Sequence, residues 1–278
     1  MGVYNSSKTY VAPAFDAISQ RGYYLKHFVG MLNAKVSHGG RRIPTRGVDW
    51  DGAQWFYDSV AHSDRKEVMR KSPIAFLQYC VMHPERLDER KLTGVRTEKV
   101  KKLRTAVFDS SQARALAVEQ LDTVYRFGDP GMSYYAFEDK TQPDVCIKTN
   151  KFYLLVEGKR TEGDLTQSTD WVKERDQLVR HIDAFLDNTD GEYGGSLPVF
   201  GLEIVVASEA GKYNFASYEN DANFDVWLPH RSKTMRHLVK NDLLLKHMTW
   251  EELQEGFKGI VDWQYIERLE KPREDLSR

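Results

Sequence analysis

The stretch TQPDVCIKTNKFYLLVEGKRTE, residues 141–162, has the pattern of a β-hairpin and decides the fold prediction. Two runs that we predict as strands, residues 143–149 and 151–159, meet at Asn150-Lys151, which we interpret as a two-residue turn. With that turn Asp144 lies opposite Glu157, and strand alternation places Lys159 on the same face as Glu157. A slip of one residue would break this register.

This register brings two carboxylates together. Facing side chains in such a pair have Cβ atoms about 4.5–5.5 Å apart, and like charges this close destabilise a sheet. A divalent cation offsets the repulsion, and hard oxygen ligands with few protein contacts suit Mg²⁺. The alternative is one carboxyl group with a raised pKa and no metal. Lys159 would orient a metal-bound water or stabilise charge on a phosphate during hydrolysis.

Further elements lie on both sides of the hairpin. Ser110 or Ser111 caps a helix that runs to about Phe127, and a capping box of Thr249 and Glu252 precedes a final helix to about Leu269. The other predicted elements are a helix over residues 15–32, a helix over 73–83, a strand over 133–137, a helix over 170–187 and a strand over 197–207. This mixed order indicates an α/β fold, in which a sheet carries helices on both faces. We predict a mainly helical N-terminal region, residues 1–105, and a second domain, residues 106–278.

The motif Pro143-Asp144, a spacer, then Glu157-Gly158-Lys159 resembles that of the PD-(D/E)XK, or restriction-endonuclease-like, nuclease superfamily. The resemblance covers about 100 of the 278 residues and implies a core of helix, three antiparallel strands, helix and a further strand. It also implies that Asp144, Glu157 and the carbonyl of Gly158 ligate Mg²⁺, for which Mn²⁺ substitutes, and that Lys159 assists the attacking water.

The same resemblance implies further site residues. Many members place an acid on the helix before the strands, and Glu119 is the natural candidate. Several carry a glutamine or a basic residue on the following helix, where Gln177 is the first candidate, ahead of Arg180 and His181. No tyrosine follows Gln177 by four residues, so the QxxxY signature is not met and the branch stays open.

A basic stretch, residues 90–104, has the charge to bind phosphates. We interpret it as the join between the two regions, and a solvated basic face is an equal alternative. The expected nucleic-acid-binding residues are Lys99, Lys101, Lys102, Arg104, Arg160 and Arg180.

Composition limits the function classes. The formal net charge of −1 argues against a protein that coats DNA. Cys80 and Cys146 are the only cysteines, which excludes a CxxC motif and favours a reducing compartment. The N-terminus lacks the apolar core of a signal peptide and no apolar run reaches about 18 residues. We therefore expect a cytoplasmic protein with no membrane partner.

The predicted function is a metal-dependent nuclease, an endonuclease acting on DNA rather than RNA, in restriction, phage defence, mobile-element biology or repair. A homodimer is a reasonable expectation, because a double-strand break needs two sites. Two alternatives stay open. One is a non-catalytic nucleic-acid-binding protein that retains the nuclease fold, and the other is an acid/base pair such as that of a glycosidase.

Overall fold

A five-stranded mixed sheet with helices around it forms the centre of the protein. The computed structural model describes residues 10–36, 41–57, 69–94, 97–127, 134–135, 137–138, 140–159, 172–187, 197–213, 215–245 and 247–270. The strands are β1 (Gln54–Tyr57), β2 (Val145–Lys148), β3 (Tyr153–Gly158), β4 (Val199–Val205) and β5 (Met248–Thr249).

The helices precede, separate and follow these strands. The α-helices are α1 (Ala12–Ser19), α2 (Gly22–Lys35), α3 (Ile74–Met82), α4 (Glu89–Thr93), α5 (Glu98–Asp109), α6 (Ser111–Phe127), α7 (Gln177–Asp187), α8 (Asp221–Trp227), α9 (Lys233–Leu238), α10 (Trp250–Gly256) and α11 (Trp263–Glu270). Shorter 3₁₀ or π segments lie at Pro84–Arg86, Ala207–Lys212, Phe215–Glu219 and Val239–Leu243. Among the described helices, none is both long enough and apolar enough to cross a bilayer.

The sheet changes from antiparallel to parallel at β3. Its strand order is β1-β2-β3-β4-β5, in which β1 pairs antiparallel with β2 and β2 antiparallel with β3. The pairs β3–β4 and β4–β5 are parallel. The predicted α/β class is therefore confirmed.

The predicted hairpin register is also confirmed. Val145 pairs with Val156 and Cys146 with Leu155, as expected if Asp144 and Glu157 face each other. The N–H of Thr149 donates to the carbonyl of Phe152 at 2.9 Å, which closes the turn over the two residues between them.

Side chains along the hairpin alternate between two hydrophobic cores, one on each face of the sheet. Ile147 and Leu154 point to one face of the sheet, where helices α1, α2 and α10 cover them. Cys146 and Leu155 point to the other face, under α7 and α8. The expected helices on both faces are therefore present. A third cluster joins α3, α5 and α6.

The predicted strand over residues 133–137 is wrong for the residues that the structure describes there. Tyr134 and Tyr135 lie in a turn and Phe137 is outside any strand. Tyr135 and Phe137 are buried in the cluster of α3, α5 and α6, so their alternation serves helix packing rather than strand pairing. The third antiparallel strand is instead β1, so the sheet takes strands from both sides of the predicted boundary at residue 105.

Three predicted helices differ in extent. The helix predicted over residues 15–32 is two helices, α1 and α2, and the final helix is likewise divided into α10 and α11. Gly259 lies between the last two with φ of 75°, a conformation that glycine adopts without strain. The helix predicted from Asp170 begins at Gln177, and residues 160–171 lie outside the described part of the chain.

Gly158 is expected to tolerate no side chain, because β3 passes directly beneath α1 and α10 at this position. A Cβ on Gly158 would lie 2.5 Å from Cγ2 of Val11 and 2.8 Å from Cζ2 of Trp250. We expect Gly158→Ala to lower the free energy of unfolding by about 1–3 kcal/mol, as overpacking does elsewhere. Gly30→Ala is the matched control in α2, where no described atom lies within 4 Å of the added Cβ, and should raise stability by about 0.5–1 kcal/mol. Urea unfolding checks both, and equal effects of the two changes would contradict the packing argument.

Candidate functional site

Asp144 and Glu157 converge where the hairpin strands end. The backbone N–H of Asp144 donates to Oε1 of Glu157 at 3.3 Å. In return, the N–H of Gly158 donates to Oδ2 of Asp144 at 3.0 Å. Asp144 is half-buried and Glu157 is buried, with 1% of its surface exposed. The Asp144 carboxylate is therefore partly exposed, while that of Glu157 lies deeper.

Lys159 and Gln177 close a ring of polar contacts with Glu157. Nζ of Lys159 lies 3.7 Å from Oε2 of Glu157 and donates to Oε1 of Gln177 at 3.0 Å. Nε2 of Gln177 donates to Oε2 of Glu157 at 2.8 Å. The indole N–H of Trp250 donates to the carbonyl of Lys159 at 3.1 Å, which fixes the backbone after β3. The structure thus brings Asp144, Glu157, Lys159 and Gln177 together.

His181 holds the second oxygen of Glu157. Its Nε2 lies 2.8 Å from Oε1 of Glu157, and its Nδ1 lies 2.5 Å from Oγ1 of Thr141. Gln177 and His181 are four residues apart on α7 and so share a face. Burial raises the pKa of Glu157, but the charge and hydrogen bond of His181, with the Lys159 ammonium, outweigh it and hold that pKa below its ordinary value. These contacts therefore favour the carboxylate form of Glu157.

Two further buried acids, Asp176 and Glu203, lie near this ring and were not predicted. Asp176 caps α7, accepting from the N–H of Val179 at 2.8 Å and the hydroxyl of Tyr218 at 3.0 Å. Burial raises the pKa of Asp176 to about 6. Glu203 is the register partner of Glu157 on β4. The signal for Glu203 was present in the sequence, where it is the single charged residue in the apolar run LPVFGLEIVVA.

The raised pKa of Asp176 makes stability depend on pH. The ordinary value is 3.8, so between about pH 4 and pH 6 the folded protein binds more protons than the unfolded chain and stability falls as pH rises. The loss is complete above the folded pKa and amounts to about 3 kcal/mol. Asp176→Asn keeps an oxygen for the helix cap and removes the titration. Between about pH 4 and pH 6 the wild-type protein should lose stability that the variant keeps. The free energy of unfolding of the variant, minus that of wild type, should therefore rise by about 3 kcal/mol over this range. Urea unfolding at several pH values measures both proteins. A difference between their free energies of unfolding that does not change with pH would contradict this prediction.

The donors at the hairpin end suit a hard divalent cation. Within the described residues, no three His, Cys, Asp or Glu side chains already surround a common point as metal ligands would. Mg²⁺ does not require that, because it is bound by one or two carboxylates and retains several waters. The two carboxylates of Asp144 and Glu157 meet this need. Glu203 adds a buried carboxylate oxygen, Oε2, that has no hydrogen-bond partner among the described residues. The residues present therefore fit Mg²⁺.

The other predicted residues lie apart from this ring or are already engaged. Glu119 is exposed on α6, and its carboxylate makes no hydrogen bond or ion pair within the described residues; the structure does not join it to the site. Arg104 was predicted to bind phosphate from the surface, but it is buried. Its guanidinium donates to the carbonyls of Tyr134 at 2.9 Å and Leu92 at 3.1 Å. Arg180 is mostly buried, with Nε 3.5 Å from Oε1 of Glu138.

The remaining basic residues keep their charge at the surface. Lys99, Lys101 and Lys102 are exposed on α5, and Nζ of Lys99 lies 5.7 Å from the ring centroid of Tyr134. The stretch predicted as a join instead contributes to α4 and α5, which pack in the third cluster. Arg160 lies outside the described residues.

Comparison with known proteins identifies no relative. No family model matches the chain, no curated protein matches it and no solved structure matches it. The geometry of the site and the resemblance of its motif are therefore the features that indicate a function.

Proposed function

We propose that this protein is a Mg²⁺-dependent nuclease that hydrolyses phosphodiester bonds of DNA. One observation carries the proposal: Asp144 and Glu157 converge at the end of a hairpin with the ammonium of Lys159 beside them. An acid-bound cation next to a lysine is what the hydrolysis of a phosphodiester needs. The order α6, hairpin β2–β3, α7, β4 gives the proposal partial support, since the superfamily that the motif resembles has three strands at the place where the described residues form two.

Each residue of the ring has a part in the proposed reaction. Asp144, Glu157 and the carbonyl of Gly158 would hold Mg²⁺, which when bound lowers the pKa of a water and neutralises charge on the phosphate. Lys159 would orient the attacking water and stabilise the charge that develops on the phosphate oxygens. Gln177 holds both Lys159 and Glu157. His181 and Thr141 fix the remaining oxygen of Glu157 in place.

Substrate phosphates would be held outside the ring by surface cations. Lys99, Lys101 and Lys102 project into solvent from one helix, where they neutralise phosphates without reading sequence. With a formal net charge of −1 for the chain, binding must depend on such a local patch. The preference for DNA, the homodimer and the cytoplasmic location remain predictions.

The proposal is tested by incubating the protein with supercoiled plasmid, linear DNA and an RNA of matching sequence, in Mg²⁺ and in EDTA. We expect cleavage of DNA that requires Mg²⁺ and is lost in Asp144→Asn. Folding of the variant is checked by its unfolding transition. Salt-dependent binding of DNA with no cleavage under any divalent metal would contradict hydrolysis and favour a non-catalytic nucleic-acid-binding protein.

A further inference from the structure

Glu203 lies on the central strand of the sheet beside the proposed metal ligand. It pairs in register with Glu157 across the parallel strands β3 and β4. Its sequence neighbours Leu202 and Ile204 belong to the core on the opposite face, so alternation places the Glu203 side chain on the face of Glu157 and α7. Only 2% of its surface is exposed.

The Glu203 carboxyl lacks a partner that its burial would require. Oε2 is inaccessible to solvent and accepts no hydrogen bond within the part of the chain that the structure describes. A buried polar group in this state is unfavourable unless something else satisfies it. Burial raises the pKa of Glu203 well above its ordinary value; Lys159 lowers it, whereas Glu157, Asp176 and Asp144 raise it further. A cation bound beside the Glu203 carboxylate would satisfy this buried oxygen.

The neighbouring groups already have other contacts. Lys159 donates to Gln177 at 3.0 Å and lies 3.7 Å from Glu157. Tyr218 donates to Asp176 at 3.0 Å. Both carboxylate oxygens of Asp176 accept hydrogen bonds. Oε2 of Glu203 accepts none from the described residues, so none of these neighbours donates to it.

We propose that Glu203 is a further carboxylate ligand of the divalent cation that Asp144 and Glu157 hold. This inference rests on the proposed function and deepens it, because the motif includes no residue of β4. No three acidic side chains among the described residues surround a common point as metal ligands would, so the Glu203 carboxylate would turn toward the cation when the cation binds. Hard oxygen donors of this kind take Mg²⁺ or Mn²⁺.

Binding of Mn²⁺ to the metal-free protein, measured by calorimetric titration, tests the proposal without any cleavage. The proteins are wild type, Glu203→Gln, Asp144→Asn as the variant in a motif ligand, and Asp176→Asn as the matched control. We expect Glu203→Gln to weaken Mn²⁺ binding at least about tenfold, the loss typical of a disturbed metal site. Asp176→Asn should change it by less than about threefold, because Asp176 is a buried acid that caps α7 and is not among the proposed ligands.

Folding of the glutamine variant is checked by its unfolding temperature without metal, which should stay close to that of wild type, because glutamine has nearly the shape of the carboxyl group that it replaces. Added Mn²⁺ should then raise that temperature less in the variant than in wild type. Wild-type Mn²⁺ affinity in Glu203→Gln, together with weakened binding in Asp144→Asn, would overturn the role of Glu203 and leave the proposed function standing. Binding that is unchanged in both variants would overturn the role of Glu203 and the metal site alike.

Discussion

Glu157→Gln is expected to lower the rate of DNA cleavage at least about a thousandfold. A bound cation contributes several kcal/mol to the stabilisation of charge in such a transition state, and about 4 kcal/mol corresponds to this factor. Glutamine has nearly the shape of glutamate but lacks its charge. Gln177 and His181 contact the two carboxylate oxygens of Glu157 and so hold that carboxylate in a fixed place in the wild-type protein.

Single-turnover cleavage in Mg²⁺ measures this effect. The control is Glu255→Gln, which removes an exposed acid of α10 whose ion pair with Lys258 spans 3.6 Å at the surface. We expect the control to cut DNA at the wild-type rate. Cleavage by Glu157→Gln within tenfold of wild type would mean that Glu157 is not a metal ligand.

Arg175→Met is expected to cause the largest loss of stability. Nε of Arg175 lies 3.0 Å from Oε1 of Glu138, and Nη2 donates to Oδ2 of Asp183 at 2.9 Å. Nη1 donates to the carbonyl of Trp227 at 2.6 Å, and the guanidinium lies 3.4 Å from the ring centroid of Phe76. These contacts join α3, α7 and the end of α8. Removing the cation leaves two buried carboxylates short of a partner, which costs about 3–5 kcal/mol.

Equilibrium unfolding in urea measures the change for Arg175. Lys258→Met is the matched control, since this lysine pairs with Glu255 while more than three quarters of each side chain is exposed. A surface pair of this kind contributes less than about 1 kcal/mol. Equal losses in the two variants would show that burial does not determine the strength of the Arg175 contacts.

The hairpin was predictable because the residues that determine its register are close together in the sequence. A two-residue turn and the alternation of side chains fix which residues face each other, so the register followed from a run of about twenty residues. The apolar face of α7 was predictable for the same reason: Leu178, Ile182 and Phe185 recur at helical spacing and are buried together.

The third antiparallel strand was not predictable in this way. Trp55 and Phe56 pair with Ile147 and Cys146, residues far away in sequence, and no local pattern specifies such a partner. The aromatic alternation of Tyr135 and Phe137 favours a strand, yet it is used to fill the space between helices. Alternation reports which side chains are buried and not what buries them.

Within the site, the local motif indicated Asp144, Glu157 and Lys159, and the resemblance to the nuclease superfamily indicated Gln177. Glu203 was missed because its strand was interpreted by its overall apolar character, although one acid in a central strand is itself unusual. Its nearness to Glu157 depends on the pairing of β3 with β4, which only the folded structure shows.

The central claim is that a divalent cation sits between Asp144 and Glu157. Crystals of the protein grown without metal and then soaked in Mn²⁺ test it directly, because anomalous scattering locates Mn²⁺ independently of the rest of the density. We expect a peak between the two carboxylates, with oxygen distances of about 2.0–2.3 Å. Ordered carboxylates with no peak between them, or a peak only elsewhere on the protein, would contradict the account.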